Sequence, residues 1–180
     1  MQRFDCVDVT RFSRLLRTPA CAASSRDVNW YDGIMRIAPI STAEARPIRD
    51  VVLRPGFPPG GTVYPGDDAP DTLHLGAFTA GPLAAVATIC REPLPETNSE
   101  RVWCLRGMAT LDQYRGLGLG RELAVACINH ARSHCAELIW CSVRLEVAPF
   151  YKSLGFTETG EPFALPQYSD HRYILMTRVP

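Results

Sequence analysis

Three glycines and two arginines are concentrated in residues 113–122, whose sequence is QYRGLGLGRE. Glycines let the backbone turn tightly and bring its amides close to an anion, and a helix N-terminus adds partial positive charge. The stretch lies between a predicted strand and a predicted helix, so its chemistry is that of a phosphate-binding loop. A dinucleotide-binding fingerprint starting at Gly116 would need glycine at position 121, which is Arg121. A Walker loop would need a lysine here, whereas Lys152 is the only lysine of the chain.

A second segment adds to this pattern. Arg115, Gly118 and Gly120 match R-x-x-G-x-G, and residues 150–156, with the sequence FYKSLGF, match F-Y-x-x-x-G-F. On these motifs, residues 35–180 resemble the GCN5-related N-acetyltransferases (GNAT), in which the glycine loop holds the pyrophosphate of acetyl-coenzyme A. The resemblance implies an α+β acyl-CoA N-acyltransferase fold. Its central sheet would be mostly antiparallel, flanked by helices and splayed between the fourth and fifth strands.

The resemblance also implies which residues hold acetyl-CoA, the cosubstrate. Backbone groups of the fourth strand would bind its pantetheine, and the glycine loop with an arginine side chain would bind its phosphates. The residues concerned are Met108, Ala109, Thr110, Arg115, Gly116, Leu117, Gly118, Leu119, Gly120 and Arg121. The Met108 amide would face the acetyl carbonyl and stabilise its developing negative charge. Tyr151 would lie near the thioester sulfur and protonate the departing thiolate, or, alternatively, would simply pack under a short helix.

Two positions depart from the family pattern. Some members carry a glutamate base on the fourth strand, where this chain has Cys104, and a neutral thiol is a poor base. Many members have an asparagine early in the segment after the fifth strand, where this chain has Ser142 and Arg144. The general base therefore lies elsewhere, is a chain of water molecules, or is not needed.

Basic residues near the fourth strand bear on the nature of the acceptor. Strict alternation puts Cys104, Arg106 and Met108 on one face of this strand. A cation at Arg106 would repel a protonated amine and attract a carboxylate, which favours an acceptor with both an amine and an acidic group. The alternative is that Arg106 pairs with an internal acid or reaches a phosphate. Arg54 and His74 are further candidates for the acceptor cleft, although a strand histidine is more often simply packed.

The main hypothesis is an enzyme that moves acetyl from acetyl-CoA to a primary amine of a small acceptor by direct attack in a ternary complex. Two alternatives stay open: a catalytically silent coenzyme A-binding sensor, and an acetyltransferase of protein N-termini or lysines. Nineteen basic against nineteen acidic side chains give zero formal charge, which argues against a nucleic-acid binder. No apolar run reaches the roughly 20 residues of a membrane span, so we expect a cytoplasmic protein, for which a homodimer would fit the family.

The cysteines and histidines do not predict a metal site. Seven cysteines include no CxxC pair, which predicts reduced and mostly buried thiols. Cys127, His130 and His134 fall at helical spacing, but nothing nearby supplies a fourth ligand. We therefore expect no bound metal.

Regular elements must position these residues. The pattern predicts one domain over residues 35–180, preceded by an N-terminal extension of unknown role over residues 1–34. Gly107 marks a β-bulge in the fourth strand, and a capping box of Ser41 and Glu44 starts the first helix. The predicted strands are 35–40, 72–78, 83–90, 102–110, 138–143 and 173–178, and the predicted helices are 42–53, 118–134 and 149–154.

Overall fold

A mixed α+β architecture is present in the computed structural model, which describes residues 30–31, 35–94, 99–165 and 168–180. One eight-stranded sheet has the order β1-β2-β3-β4-β5-β6-β8-β7. The strands are β1 Trp30–Tyr31, β2 Met35–Ile40, β3 Leu73–Thr79, β4 Leu83–Arg91, β5 Val102–Thr110, β6 Leu138–Arg144, β7 Thr157–Leu165 and β8 Tyr168–Arg178. The helices are α1 Thr42–Leu53, α2 Leu119–Ser133 and α3 Ala148–Ser153. Among the described strands only β5 and β6 pair in parallel, which confirms the predicted fold class.

The predicted fourth and fifth strands correspond to β5 and β6. Most of the predicted N-terminal extension lies outside the described residues, but Trp30–Tyr31 adds a short strand that pairs with β2. The sequence pattern did not predict β7, and β8 begins five residues earlier than expected. The side chains of β7 are exposed or half-buried, so buried and exposed positions do not alternate along this strand. The sequence of β7 therefore lacks the two-residue hydrophobic period that predicts a strand.

Helices α1 and α2 cover opposite faces of the sheet. The capping box of Ser41 and Glu44 at the start of α1 is present. One stripe of α2 is buried, at residues Leu119, Leu123, Ala124, Cys127, Ile128 and Ala131. These side chains pack on one face of β4 with Ala85 and Ala87, whereas α1 packs on the other face with Val86. Central strand β4 is buried on both faces for this reason, and its alanines let both helices approach closely.

The sheet opens between β5 and β6. Their pairing runs only from Val102 and Leu138 to Cys104 and Trp140, and the later residues of the two strands have no register partner on each other. We call the open region beyond Cys104 and Trp140 the splay. It lies between the same two strands at which the resemblance implied it.

A β-bulge interrupts β5 beside the splay. Thr88 pairs with Arg106 and Val86 pairs with Ala109, so that two residues of β5 lie opposite the single residue between them on β4. Gly107 has φ +61°, a conformation that favours glycine, and confirms the predicted position of the bulge. A Cβ atom at Gly107 would lie 2.8 Å from Cδ of Arg49 on α1, so the absence of a side chain is also what lets α1 pack there.

A buried ion pair joins α1 to the loop that follows it. Arg49 donates two hydrogen bonds to Asp67, of 3.2 and 2.8 Å, and both side chains are almost fully buried. Burial alone would raise the pKa of Asp67, but hydrogen bonds and charge from Arg49, the Tyr64 amide and the charge of Arg106 together lower it below its usual value. The pair fixes the loop of residues 54–72 over the α1 face of the sheet.

Four described cysteines, Cys90, Cys104, Cys127 and Cys141, are buried free thiols, as predicted. Cys135 is disulfide-bonded, so the prediction of a reduced thiol is wrong at this position. No helix in the described ranges is long and apolar enough to span a membrane.

Replacing Arg49 with methionine should lower the free energy of unfolding by about 3–5 kcal/mol at pH 7, because Asp67 would remain buried without its main partner. Chemical denaturation with urea measures the change. The lowered pKa means that the carboxylate stabilises the fold above about pH 4 and that this contribution is lost as the pH falls through the pKa of the folded state. The difference between the two proteins should therefore narrow in acid.

The matched control is Arg46→Met, on the same helix. Arg46 pairs with Asp68 at 3.4 Å, but the Asp68 side chain is 75% exposed, so the loss should stay below about 1 kcal/mol. Equal losses of unfolding free energy in the two variants would show that burial of the Arg49–Asp67 pair adds nothing to its contribution to stability.

Candidate active site

The glycine loop turns the chain from the end of β5 into α2. Gly116 and Gly118 have φ of +79° and +80°, and Gly118 is the N-cap of the helix. Leu119 is buried in the core and anchors the first turn, whereas Leu117 between the glycines is 60% exposed. A Cβ atom at Gly116 or Gly118 would meet nothing within 4 Å among the described residues, so the outer side of the loop is open to a ligand.

The amides at the start of α2 are available to an anion. The first backbone amide of the helix with a helical partner is that of Glu122, which donates to the Gly118 carbonyl at 3.1 Å. Preceding amides of the first turn have no intrahelical acceptor, and they carry the positive end of the helix dipole. Arg121 is exposed, and Arg115 forms an exposed ion pair with Asp112 at 2.8 Å. An anion at the loop can therefore meet both backbone donors and guanidinium groups.

Helix α3 lies beside the glycine loop, next to the end of β5. A Cβ atom at Gly120 would be 3.8 Å from Cζ of Phe150, 3.8 Å from Oγ1 of Thr110 and 4.0 Å from Cε of Met108. The first turn of α2, the end of β5 and α3 thus meet at one place. The structure brings together Met108, Thr110 and Gly120 of the predicted cosubstrate residues.

Tyr151 points at β5. Its hydroxyl donates to Sδ of Met108 at 3.4 Å, and its ring makes edge-to-face contacts with Phe150 and Phe156. Burial raises the pKa of Tyr151 well above its ordinary value, and the thiols of Cys141 and Cys127 add to the effect. The phenol therefore keeps its proton at neutral pH and is a hydrogen-bond donor beside the splay.

The bulge changes which face of β5 each side chain occupies. Arg106 contacts the loop that covers the α1 face, whereas Met108 packs with the core on the α2 face and with Tyr151. The prediction that Cys104, Arg106 and Met108 share one face is therefore wrong for Met108. The extra residue in the bulge at Gly107 shifts the alternation by one position, so Met108 moves to the opposite face.

Arg106 is already engaged in ion pairs. Nη1 donates to Glu92 at 2.7 Å, and Nη2 donates to the Pro65 carbonyl at 2.7 Å and lies 3.4 Å from Asp67. Its side chain is only 15% exposed. Of the two alternatives for Arg106, the structure has the pairing with internal acids.

His74 is packed inside the same polar layer. The Asp67 carbonyl can only accept, so Nε2 at 2.8 Å donates to it, and Nδ1 shares a hydrogen bond of 2.8 Å with the Thr88 hydroxyl. Both ring nitrogens are thus satisfied within the fold. The structure does not bring His74 to the splay, and it places this residue under α1 as a support for the loop that contains Asp67.

Arg54 lies at the C-terminal end of α1. Its Nη1 donates to the Leu53 carbonyl at 2.8 Å. Arg144, at the end of β6, donates to the same carbonyl from Nη2 at 3.1 Å. From the sequence alone, Arg144 is only a departure from the family pattern. Its proximity to Arg54 depends on a contact between residues 91 positions apart, which no local pattern reveals.

The side chain at the position of the family's glutamate cannot serve as a base at neutral pH. Cys104 is buried, and its pKa is raised by the neighbouring Cys90 thiol and by burial. It therefore stays protonated. In the described part of the chain, no group of three His, Cys, Asp or Glu side chains is placed to hold a metal ion.

Comparisons with known proteins agree with this geometry. A family model described as "Acetyltransferase (GNAT) family" matches residues 46–156. An uncharacterized N-acetyltransferase of Bacillus subtilis, YitI, is 34% identical over 142 residues, which cover 77% of this chain and 93% of the relative.

Solved structures show the same fold. Escherichia coli ElaA has a TM-score of 0.67 and 16% identity, over 81% of this chain and 99% of that one. The ribosomal-protein-S18-alanine N-acetyltransferase of E. coli has a TM-score of 0.64 and 20% identity, over 81% and 94%. Together, the family model over residues 46–156 and the Bacillus subtilis relative show that the chain belongs to the GNAT acetyltransferase family.

Proposed function

We propose that the protein transfers acetyl from acetyl-CoA to a primary amine of a small acceptor by direct attack in a ternary complex. The observation that carries the proposal is the arrangement around Met108. The bulged part of β5 lies unpaired at the splay, the glycine loop lies at its end, and the Tyr151 hydroxyl points at it. These are the three parts that binding and cleavage of a thioester would need.

The residues present fit acetyl-CoA. Two glycines with positive φ leave the outer side of the loop open, and the first-turn amides of α2 can bind phosphate oxygens. Arg115 and Arg121 add positive charge on the exposed side. Pantetheine would follow the unpaired edge of β5, where its amide groups can bond the backbone of Met108 and Thr110 in place of the strand partner that β6 no longer supplies.

The chemistry then divides between a backbone donor and Tyr151. The amine nitrogen attacks the acetyl carbonyl carbon, and the Met108 amide stabilises the negative charge that develops on the carbonyl oxygen. The carbon–sulfur bond breaks, and the departing thiolate takes the proton of Tyr151. The new amide loses one proton to water, and Tyr151 regains a proton from solvent. Because Cys104 is protonated, the acceptor amine does not lose its proton to a base at that position on β5.

Acceptor and cosubstrate would enter from opposite faces. Met108 and Tyr151 lie on the α2 face of the sheet, whereas Arg54 and Arg144 lie at the C-terminal end of α1. The splay is the place where a group on the α1 face can reach the α2 face without passing through a paired strand. An amine that enters from the α1 side would meet the thioester at Met108.

Leu117→Pro should weaken acetyl-CoA binding about tenfold or more, because it removes one backbone amide that would donate to a phosphate. Titration calorimetry measures the dissociation constant. Leu117→Ala is the matched control: it removes the exposed side chain and keeps the amide, so its affinity should equal that of the wild type. Equal affinity in all three proteins would contradict the binding of phosphate by backbone amides of the loop.

Tyr151→Phe should lower kcat about 100-fold or more, with little change in the KM for acetyl-CoA, because the aromatic ring keeps its contacts with Phe150 and Phe156. The rate is measured as the release of the free thiol of coenzyme A. The raised pKa of Tyr151 also predicts no loss of wild-type rate from this group below about pH 10.

An unchanged kcat in Tyr151→Phe would assign the tyrosine to packing alone. Tight binding of acetyl-CoA with no thiol release across a panel of primary amines would contradict the proposed transfer and support the sensor alternative.

A further inference from the structure

Arg144 lies beside the splay on the α1 face and forms no ion pair with a carboxylate among the described residues. We infer that Arg144, assisted by Arg54, binds a carboxylate of the acceptor, so that the substrates are amines that carry a carboxyl group, such as amino acids. This inference rests on the proposed acetyl transfer and names the substrate class of that same site.

Arg106 is not available for this purpose. Glu92 at 2.7 Å and Asp67 at 3.4 Å already neutralise its charge, and the Pro65 carbonyl accepts from the same guanidinium. A carboxylate that bound Arg106 would have to displace two existing carboxylates. The acidic group of an acceptor therefore needs a different cation.

Arg144 meets this requirement. Among the described residues it forms no ion pair, and the one hydrogen bond of its guanidinium goes to the Leu53 carbonyl at 3.1 Å. An arginine has five N–H donors in a planar fork, so the remaining donors can take both oxygens of a carboxylate. The side chain is half-buried, which limits screening of its charge by solvent.

Arg54 increases the positive charge at this place. It donates to the same Leu53 carbonyl at 2.8 Å, so the two donating nitrogens are at most about 6 Å apart, a distance at which like charges repel. A carboxylate bound by Arg144 beside Arg54 would lower the repulsion between the two guanidinium groups.

The position of Arg144 also suits an acceptor. On β6, Ile139, Cys141 and Val143 belong to the core on the α2 face. Strand alternation therefore places Ser142 and Arg144 on the α1 face, beyond Trp140, where β6 has left β5. Ser142 is exposed on that face. A carboxylate held by Arg144 would leave the amine of the same small molecule free to enter the splay.

The test compares free amino acids with the corresponding amino-acid amides as acceptors, under saturating acetyl-CoA. Wild-type protein should prefer the acids. Arg144→Leu should lower kcat/KM for the acids about 10- to 100-fold, the loss expected for hydrogen bonds to a charged group, and should leave the amides nearly unchanged. Arg144→Lys keeps the charge but loses the forked pair of donors, so its kcat/KM for the acids should lie between those of the wild type and Arg144→Leu. Affinity for acetyl-CoA should be the same in all of these proteins.

Arg36→Leu is the matched control. Arg36 is also half-buried, but it lies on β2 over the ring of Phe78, four strands away from β6 in the sheet. This variant should keep the wild-type preference for acids. The same loss in Arg36→Leu and Arg144→Leu would overturn the inference, because it would reflect a general change of charge or stability.

Other outcomes separate this inference from the proposed function. Turnover of amides as fast as acids, with no effect of Arg144→Leu, would overturn the carboxylate site while acetyl transfer stands. If no acceptor is acetylated, acetyl transfer fails, and calorimetry still tests the site with N-acetylated amino acids and their amides in the presence of coenzyme A. Binding of the acids that is lost in Arg144→Leu supports the site, and no binding, or binding unaffected by Arg144→Leu, overturns it.

Discussion

The end of pairing between β5 and β6 after Cys104 is the constraint on which the rest of the site depends. Unpaired backbone groups inside a protein are costly, and β5 has them on the side that β6 has left. The bulge at Gly107 interrupts pairing on the β4 side as well, next to Met108. A ligand with amide groups, such as pantetheine, can replace the missing partners. The same break in the ladder that would weaken an ordinary sheet would thus give the proposed cosubstrate a place to bind.

The buried polar layer under α1 joins the loop after α1 to β3 and β5. Arg49 and Asp67 form a two-bond ion pair, and His74 supports the Asp67 carbonyl from β3. Burying two charges costs desolvation energy, which the paired hydrogen bonds offset only in this geometry. Arg106 joins the layer through Asp67 and Glu92. The loop after α1 is therefore held to the sheet by directional bonds and not by apolar contact alone.

Local sequence signals predicted the elements of the site well. The capping box, the glycine loop, the bulge at Gly107 and the boundaries of α2 depend on residues close together in the chain, and the structure agrees with each to within one or two residues. What the sequence could not predict depends on contacts distant in the chain. Examples are the pairing of Arg106, the approach of Arg144 to Leu53 and strand β7. The face that Met108 occupies follows from the sequence only if the alternation along β5 is shifted by one residue at the predicted bulge.

Because the bulge moves Met108 to the α2 face, the neutral groups of the site lie on that face and the charged groups lie on the α1 face. On the α2 face, Tyr151 is neutral and Met108 is apolar, so a thioester there would meet donors without a full charge. On the α1 face, Asp67 and Glu92 neutralise Arg106, the arginine on β5. An amine is a nucleophile only when it has lost its proton, and a bare cation near it would favour that loss but would also repel an approaching ammonium ion. A positive charge at Arg144 on β6, which forms no ion pair with a described residue, would let a carboxylate guide the acceptor inward while the path beside β5 stays nearly neutral.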